Sequence, residues 1–432
     1  MDKFRRHFHT PLYANAYYLM ANTAVNSLSG FIFWTVAARF YDSNNVGVAS
    51  AIISSALFLA TLSNLGLGIG LIRFLPEAGD GDRSLLDSSL TFVSVVSLAV
   101  ALMFLVGLPF WSPALSFLHD HPGLMGVLIL FIFLSALIGV IGQVFVALRK
   151  AQYAFYCSVI TSVLKVPLPI LFAFSENAIG ILVSVTIAVA VSLGVAFFWF
   201  LPQLKSGYFP RPRFSRRNLS LLLPYSLGNH LATLLVQTPQ FLLPMVVLNL
   251  LEPKSSAYTY VAWMIGSALF MVSGAISTSA FAEGSNAQMN APNIARKAGI
   301  QILLLSIPAV CVMLILGYPI LSFFGPEYAD QGMPLLFVLL VSAFPVGVNN
   351  LYFAVKRVTK ETGRIFILST FIAGSTVGLS VVLIPLLGIT GNGIAWLVSQ
   401  CAVASFVVLS FFMRRTRKPD PYLTQYGESH GR

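Results

Sequence analysis

Residues 124–148 read LMGVLILFIFLSALIGVIGQVFVAL, a run without one Asp, Glu, Lys or Arg, and Arg149 and Lys150 follow at once. At about 1.5 Å per residue such a run, coiled as helix, exceeds the ~30 Å of a bilayer's hydrocarbon. A membrane barrel strand would alternate in polarity and stop after about ten residues. This stretch does neither, so it reads as a transmembrane helix that ends on positive charge.

Working outward, the same signature recurs. Apolar runs lie near 12–38, 46–72, 87–111, 153–174, 178–201, 219–250, 256–282, 298–324, 333–355, 365–387 and 391–413. With 124–148 they make twelve spans. Across the chain 57% of residues are hydrophobic and 9% charged, with a mean hydropathy of +0.82. Soluble domains carry roughly 25% charged residues, so this chain uses lipid as solvent. The fold class is an all-α membrane protein of about twelve transmembrane helices. The first span follows Met1-Asp-Lys-Phe-Arg-Arg6. Its apolar stretch is too long for a signal peptide and is expected to be retained. Cys157, Cys311 and Cys401 all fall in spans, and neither a disulfide framework nor a metal spacing follows from them.

The basic residues orient the array. With the N-terminus cytoplasmic and the spans alternating, 23 of the 26 Lys and Arg fall on the cytoplasmic side. Only Arg39 and Lys254 fall outside, and Lys165 lies within a span. A wrong span count would scramble this asymmetry, so count and orientation support each other. The expected location is the cytoplasmic membrane, with both termini in the cytoplasm. The net charge of +11 is mostly this excess. Attraction of Arg211-Pro-Arg-Phe-Ser-Arg-Arg217 to anionic headgroups explains that stretch without nucleic acid.

The chain repeats itself. Tyr18-Leu-Met-Ala-Asn22 opens span one and Tyr225-Ser-Leu-Gly-Asn229 opens span seven, 207 residues apart. Ser135-Ala136 matches Ser342-Ala343, and Ala147-Leu-Arg-Lys150 matches Ala354-Val-Lys-Arg357, at the same offset. Ser55-Ala-Leu-Phe58 and Ser267-Ala-Leu-Phe270 match at 212. Six spans plus six in one orientation form a parallel repeat, an arrangement that places substrate sites between the halves. The expected divisions are an N-terminal six-helix lobe at 1–203, a basic cytoplasmic linker at 204–218, a C-terminal lobe at 219–413 and a cytoplasmic tail at 414–432.

Here the sequence resembles a known family. Leu65-Gly-Leu-Gly-Ile-Gly-Leu-Ile-Arg73-Phe-Leu-Pro-Glu77 ends span two, Leu148-Arg-Lys150 and Lys356-Arg357 end spans four and ten, and Ser256-Ala-Tyr-Thr-Tyr-Val-Ala262 enters span eight. These residues and the span layout resemble the polysaccharide-transport branch of the multidrug/oligosaccharidyl-lipid/polysaccharide (MOP) exporter superfamily, the Wzx-like flippases of lipid-linked oligosaccharides. The resemblance implies a MATE-like fold of two lobes.

Polar side chains inside the spans mark the candidate cavity, because hydrocarbon penalises them. In span one Asn15, Tyr18, Asn22 and Asn26 share a helical stripe, and in span seven Tyr225, Asn229, Thr233 and Gln237 repeat it. Span five carries Ser158, Thr161, Ser162 and Lys165 on one face, and Pro167 and Pro169 kink it just beyond. Gln143 and Asn350 stand 207 residues apart on spans four and ten, and His230 adds a titratable group. Helix-to-helix hydrogen bonding accounts for each Asn, Gln, Ser or Thr equally well. Lys165 is different, because no span core holds an acid to pair with it. It is expected to face a wet cavity. Arg73, Arg149, Lys356 and Arg357 are candidate headgroup contacts at the cytoplasmic gate.

A buried cation without a membrane carboxylate suits an anionic substrate such as a lipid phosphate. The expected function is therefore a flippase for a lipid-linked anionic glycan in cell-surface polysaccharide biosynthesis, working by alternating access among membrane lipids. Its glycosyltransferases or polymerase would be its pathway partners. A MATE-like drug/cation antiporter remains the alternative, but it wants an embedded carboxylate. A membrane glycan polymerase or ligase would need acid/base groups on a sizeable exterior loop, and the longest here, near 112–123, is short. Gly66-x-Gly68-x-Gly70 lacks a βαβ context, His119-Asp120-His121 sits in a solvated loop, and no Walker A loop exists. No catalytic residue, metal or cofactor is expected.

Overall fold

In a computed structural model the chain is described over residues 11–79, 82–175, 177–205, 207–286, 291–359 and 361–416. Residues 1–10 and 417–432, which hold the basic ends of the orientation argument, lie outside the described residues. So do Lys360 and the side chain of Asn229.

Every regular element described is helical. In chain order they are α1 (Pro11–Phe40), α2 (Ser43–Ser63), α3 (Leu67–Phe74), α4 (Asp82–Trp111), α5 (Pro122–Ala147), α6 (Ala151–Lys165), α7 (Leu168–Phe172), α8 (Ala178–Val195), α9 (Leu201–Leu204), α10 (Arg216–Leu250), α11 (Pro253–Asn286), α12 (Ala291–Ser322), α13 (Pro326–Val358), α14 (Thr362–Leu387) and α15 (Ile389–Thr416). A π turn at Ala196–Phe200 joins α8 to α9, so these two form one span. Among the described residues eleven spans are long and apolar enough to cross a membrane. The polar stripe of α1 keeps it below that standard. Its 30 residues nevertheless lie against α6 as a twelfth rod, and the protein is a multi-pass membrane protein.

Two of the expected spans are broken. Span two ends at Ser63, where Leu65 and Gly66 take left-handed backbone (φ +45° and +72°), and resumes as α3. Apolarity alone does not register this break, because the chain stays apolar while it turns. Span five breaks after Lys165, where Pro167 removes a backbone donor, and resumes as α7. The 112–123 loop is also more ordered than its composition implied. It forms a 3-10 helix at Pro113–Asp120 that His119 ties back to the Leu105 carbonyl.

Each half has a hub. Helix α5 packs on α2, α3, α4, α6 and α8, and α13 packs on α11, α12, α14 and α15. The halves meet along α2 and α3, which lie against α10 and α11. Lipid tails are as apolar as leucine, so helices associate through close packing rather than through a hydrophobic drive. The buried face of α2 suits this, with Gly47, Ala49, Ser50, Ala51, Ala56 and Ala60. A Cβ on Gly47 would fall 1.7 Å from the Pro253 carbonyl oxygen. Gly66 and Gly70 serve the same contact, and Gly68 lets α3 pack on α5 within its own half. A Cβ on Gly66 would lie 2.5 Å from the Ser226 carbonyl oxygen, one on Gly68 2.7 Å from Gln143, and one on Gly70 2.4 Å from the Ser226 hydroxyl.

Polar contacts tie the halves at both ends. At one end Arg39 donates to the carbonyls of Phe323 (2.8 Å) and Ser322 (3.1 Å), and Ser112 donates to Asn249 (3.0 Å). At the other, the guanidinium of Arg73 lies 4.8 Å from the Tyr225 ring centre. There the 204–215 segment is pinned to α4. Lys205 pairs with Asp82, and buried Asp87 accepts from the Tyr208 hydroxyl (2.6 Å) and the Arg211 amide (3.1 Å). Burial and the Asp87 carboxylate push the Tyr208 phenol well above its ordinary pKa.

Candidate functional site

The polar residues of the spans gather mainly in two cavities, one in each half. The first, of about 540 Å³, is walled by α1, α2, α5, α6 and α8, with Tyr260 of α11 entering from the other half. Helix α1 contributes Asn22 and Asn26, α5 contributes Ser135 and Gln143, and α6 contributes Ser158, Thr161 and Lys165. The fourth polar residue of the α6 face, Ser162, is turned aside and donates to buried Ser29 at 2.8 Å. Asn26 bridges the wall, with its side-chain amide donating at 3.3 Å to both Asn22 Oδ1 and the Ser158 hydroxyl.

Lys165 is the charge of this cavity. As the last residue of α6 it benefits from the helix's negative end. The proline break beyond it removes the next turn, so its half-buried side chain reaches the cavity instead of packing on more helix. Its ammonium lies 6.0 Å from the Phe33 ring centre. Among the described residues no carboxylate comes within ion-pair distance. Fourteen helical steps of about 1.5 Å put it roughly 20 Å from Ala151 along the axis, deep within the bilayer. A cation held there with amides and hydroxyls presents three donors and no acceptor charge, a setting for an anion.

The second cavity, of about 400 Å³, lies among α10, α11, α13, α14 and α15 and contains Gln237 and Asn350. Gln143 and Asn350 thus hold equivalent places in the two cavities, as their spacing of 207 implies. Asn350 donates to Ser273 at 3.0 Å.

The other candidates lie elsewhere. Tyr18 packs on the rings of Phe155 and Tyr156. Asn15 accepts from the Ala151 amide at 3.0 Å and so steadies the start of α6. Tyr225 lies under Arg73 and edge-on to Phe74 at the seam of the halves. His230 is buried at the same seam, beside Gly66, with one ring nitrogen bonded to the Thr61 backbone and Nε2 without a protein partner. Arg149 and Arg357 are exposed. Lys356 is buried and paired at 2.5 Å with Glu361, whose carboxyl is held below its ordinary value chiefly by that bond.

Sequence reasoning missed most of the second cavity: Gln240, Trp263, Phe270, Asn349, Ser369, Trp396 and Gln400. The repeat offset would have found part of it, since Gly142 of the first cavity maps onto Asn349.

Residues 12–282 match the model of the family described as polysaccharide biosynthesis protein. No curated protein matches the chain in sequence. Among solved structures, the lipid II flippase MurJ in an inward closed conformation is 15% identical, with 92% of this chain and 87% of that chain covered and a TM-score of 0.72. An inward-facing multidrug resistance MATE transporter of the MOP superfamily is 16% identical, with coverages of 92% and 99% and a TM-score of 0.65. A MOP superfamily transporter from Pyrococcus furiosus is 15% identical, with coverages of 94% and 96% and a TM-score of 0.54. These likenesses show a shared fold.

Proposed function

We propose that this chain, which belongs to the polysaccharide biosynthesis protein family, moves a lipid-linked anionic glycan across the cytoplasmic membrane by alternating access. One observation carries the reading: Lys165 stands without a carboxylate in a cavity otherwise lined by amides, hydroxyls and apolar groups. A phosphate or diphosphate linkage is costly to carry through hydrocarbon, and a charged lysine in a wet cavity offsets that cost. The six-helix lobes, 1–203 and 219–413, rock about the seam of α2 and α3 against α10 and α11. The glycan headgroup travels in the cavity while the lipid tail stays in the bilayer.

The Lys and Arg bias supports cytoplasmic termini. Residues Arg73, Arg149 and Arg357 share the basic end, where they meet anionic headgroups before entry, whereas Lys356, expected among them, is buried and held by Glu361. The glycosyltransferases that build the substrate act on that side. The fold likeness to MurJ, a lipid II flippase, agrees with a lipid-linked cargo.

The test is complementation of a flippase-deficient strain, with membrane abundance checked by blot. A phosphate–lysine pair at 4 Å and an effective dielectric of ~20 is worth about 4 kcal/mol, close to a thousandfold. Lys165→Ala and Lys165→Glu therefore abolish export at normal abundance, and Lys165→Arg retains part of it. His230→Ala and Asn22→Ala have smaller effects. Full export by Lys165→Ala refutes the assignment.

A further inference from the structure

The second cavity has a chemistry of its own. Its lining holds no charged residue. Lys165 is the charge of the first cavity, and the second has no counterpart to it. In exchange, a small group of the first cavity has become polar. Gly142 corresponds to Asn349 at the offset of 207. The two halves have kept one architecture and separated their chemistry.

Aromatic rings form one wall. Trp263 and Trp396 meet edge to face with ring centres 5.2 Å apart, and Phe270 lies tilted at 33° to Trp396 with centres at 5.9 Å. Amides form another. Asn349 donates to the side-chain oxygen of Gln400 at 2.6 Å and to its carbonyl at 3.1 Å, which fixes both side chains.

Three of the lining residues also carry a polar atom that is buried without a protein partner: Asn349 Oδ1, Ser369 Oγ and Trp396 Nε1. These atoms stand behind the lining, closed to solvent. The cavity's own polar lining comes from Gln237, Gln240, Ser267 and Asn350. An amide both donates and accepts, and a serine hydroxyl does either.

We infer that this cavity is a subsite for an uncharged sugar ring of the cargo. A sugar hydroxyl is donor and acceptor at once, so one class of group pairs with both ends of these amides. The C–H faces of a pyranose lie on aromatic rings such as Trp396 and Phe270. A purely apolar ligand would make no use of these amides, and the cavity carries no acid for an organic cation or base for a phosphate. The volume of about 400 Å³ falls within the roughly 300–1,000 Å³ of small-molecule sites. This inference rests on the glycan-flippase reading and divides its labour, with Lys165 for the anionic linkage and the second cavity for the neutral glycan.

The test uses full-length protein in lipid nanodiscs and two kinds of probe. Saturation-transfer NMR reads binding of the methyl glycosides of glucose, galactose, mannose and N-acetylglucosamine. Farnesyl diphosphate, titrated separately, reports the anion site. At least one glycoside gives a signal, and Trp396→Ala or Asn349→Ala weakens it roughly tenfold, the size of one lost aromatic or hydrogen-bond contact. Lys165→Ala leaves that signal intact and removes farnesyl diphosphate binding. Trp396→Phe keeps a smaller aromatic face without the pyrrole ring and falls between, which covers a Trp396→Ala that does not fold. The inference is overturned if no glycoside binds, if binding survives Trp396→Ala, or if tetraphenylphosphonium rather than a sugar is displaced by that change. Farnesyl diphosphate binding that survives Lys165→Ala counts instead against the anion reading and leaves the sugar subsite standing.

Discussion

Replacing Gly66 by alanine tests the seam between the halves. Gly66 sits at the break between α2 and α3 with φ +72°. A residue with a Cβ pays roughly 1–2 kcal/mol for left-handed backbone. The new methyl would also stand 2.5 Å from the Ser226 carbonyl oxygen and 2.6 Å from the His230 Cβ. Backbone and a Cβ cannot swing aside as a long side chain can, and such overpacking costs about 1–3 kcal/mol. The two effects together come to about 2–5 kcal/mol. Gly79 is the control, because its φ is +52° with nothing within 4 Å of a built Cβ. Gly79→Ala therefore carries only the backbone cost, roughly 1–2 kcal/mol. The assay is thermal unfolding of both purified variants in lipid nanodiscs. Gly66→Ala unfolds at a clearly lower temperature than Gly79→Ala, which itself lies slightly below the parent. Equal midpoints for the two variants would refute the claim that Gly66 is in tight contact with α10.

Three further outcomes follow from the ends of the helices. Reporter fusions after Lys205 and Arg414 give cytoplasmic signals, and fusions within 112–122 and 326–331 give exterior ones; an exterior signal after Lys205 removes the two-lobe arrangement with its span count. Asp87→Asn weakens the two bonds that pin Tyr208 and Arg211, at about 1–3 kcal/mol for a buried bond, so trypsin cuts after Arg213 faster than in the parent, the Arg211–Pro212 bond being resistant in both. Glu361 titrates below the ordinary 4.5 because Lys356 bonds its charged form. A carboxyl with a depressed folded pKa stabilises above its unfolded value and loses that contribution as pH falls through the folded one. The difference in unfolding temperature between parent and Glu361→Gln is therefore full at neutral pH and closes below about pH 4.

The membrane class, the helical content and the placing of spans were legible in the sequence, because hydrocarbon imposes a length and an apolarity on each crossing segment wherever it stands. The parallel repeat was legible too, since equivalent helix ends keep equivalent residues, and it carried Gln143 and Asn350 to matching places. Lys165 stood out because an unpaired charge in a span is rare enough to need no neighbour for its interpretation. The partners of the remaining polar residues were another matter. Asn22, Tyr18 and Asn15 lie on one stripe of one helix, yet they face a cavity, an aromatic cluster and a helix start, because what a side chain meets depends on the neighbouring helix at its own depth. The broken second span was equally hidden, since a left-handed turn at Leu65 and Gly66 leaves hydropathy unchanged. The second cavity came from tertiary packing alone. Trp263, Trp396, Asn349 and Gln400 come from three helices, and in lipid an indole or an amide on a span reads the same whether it faces a neighbour, the bilayer or an open site.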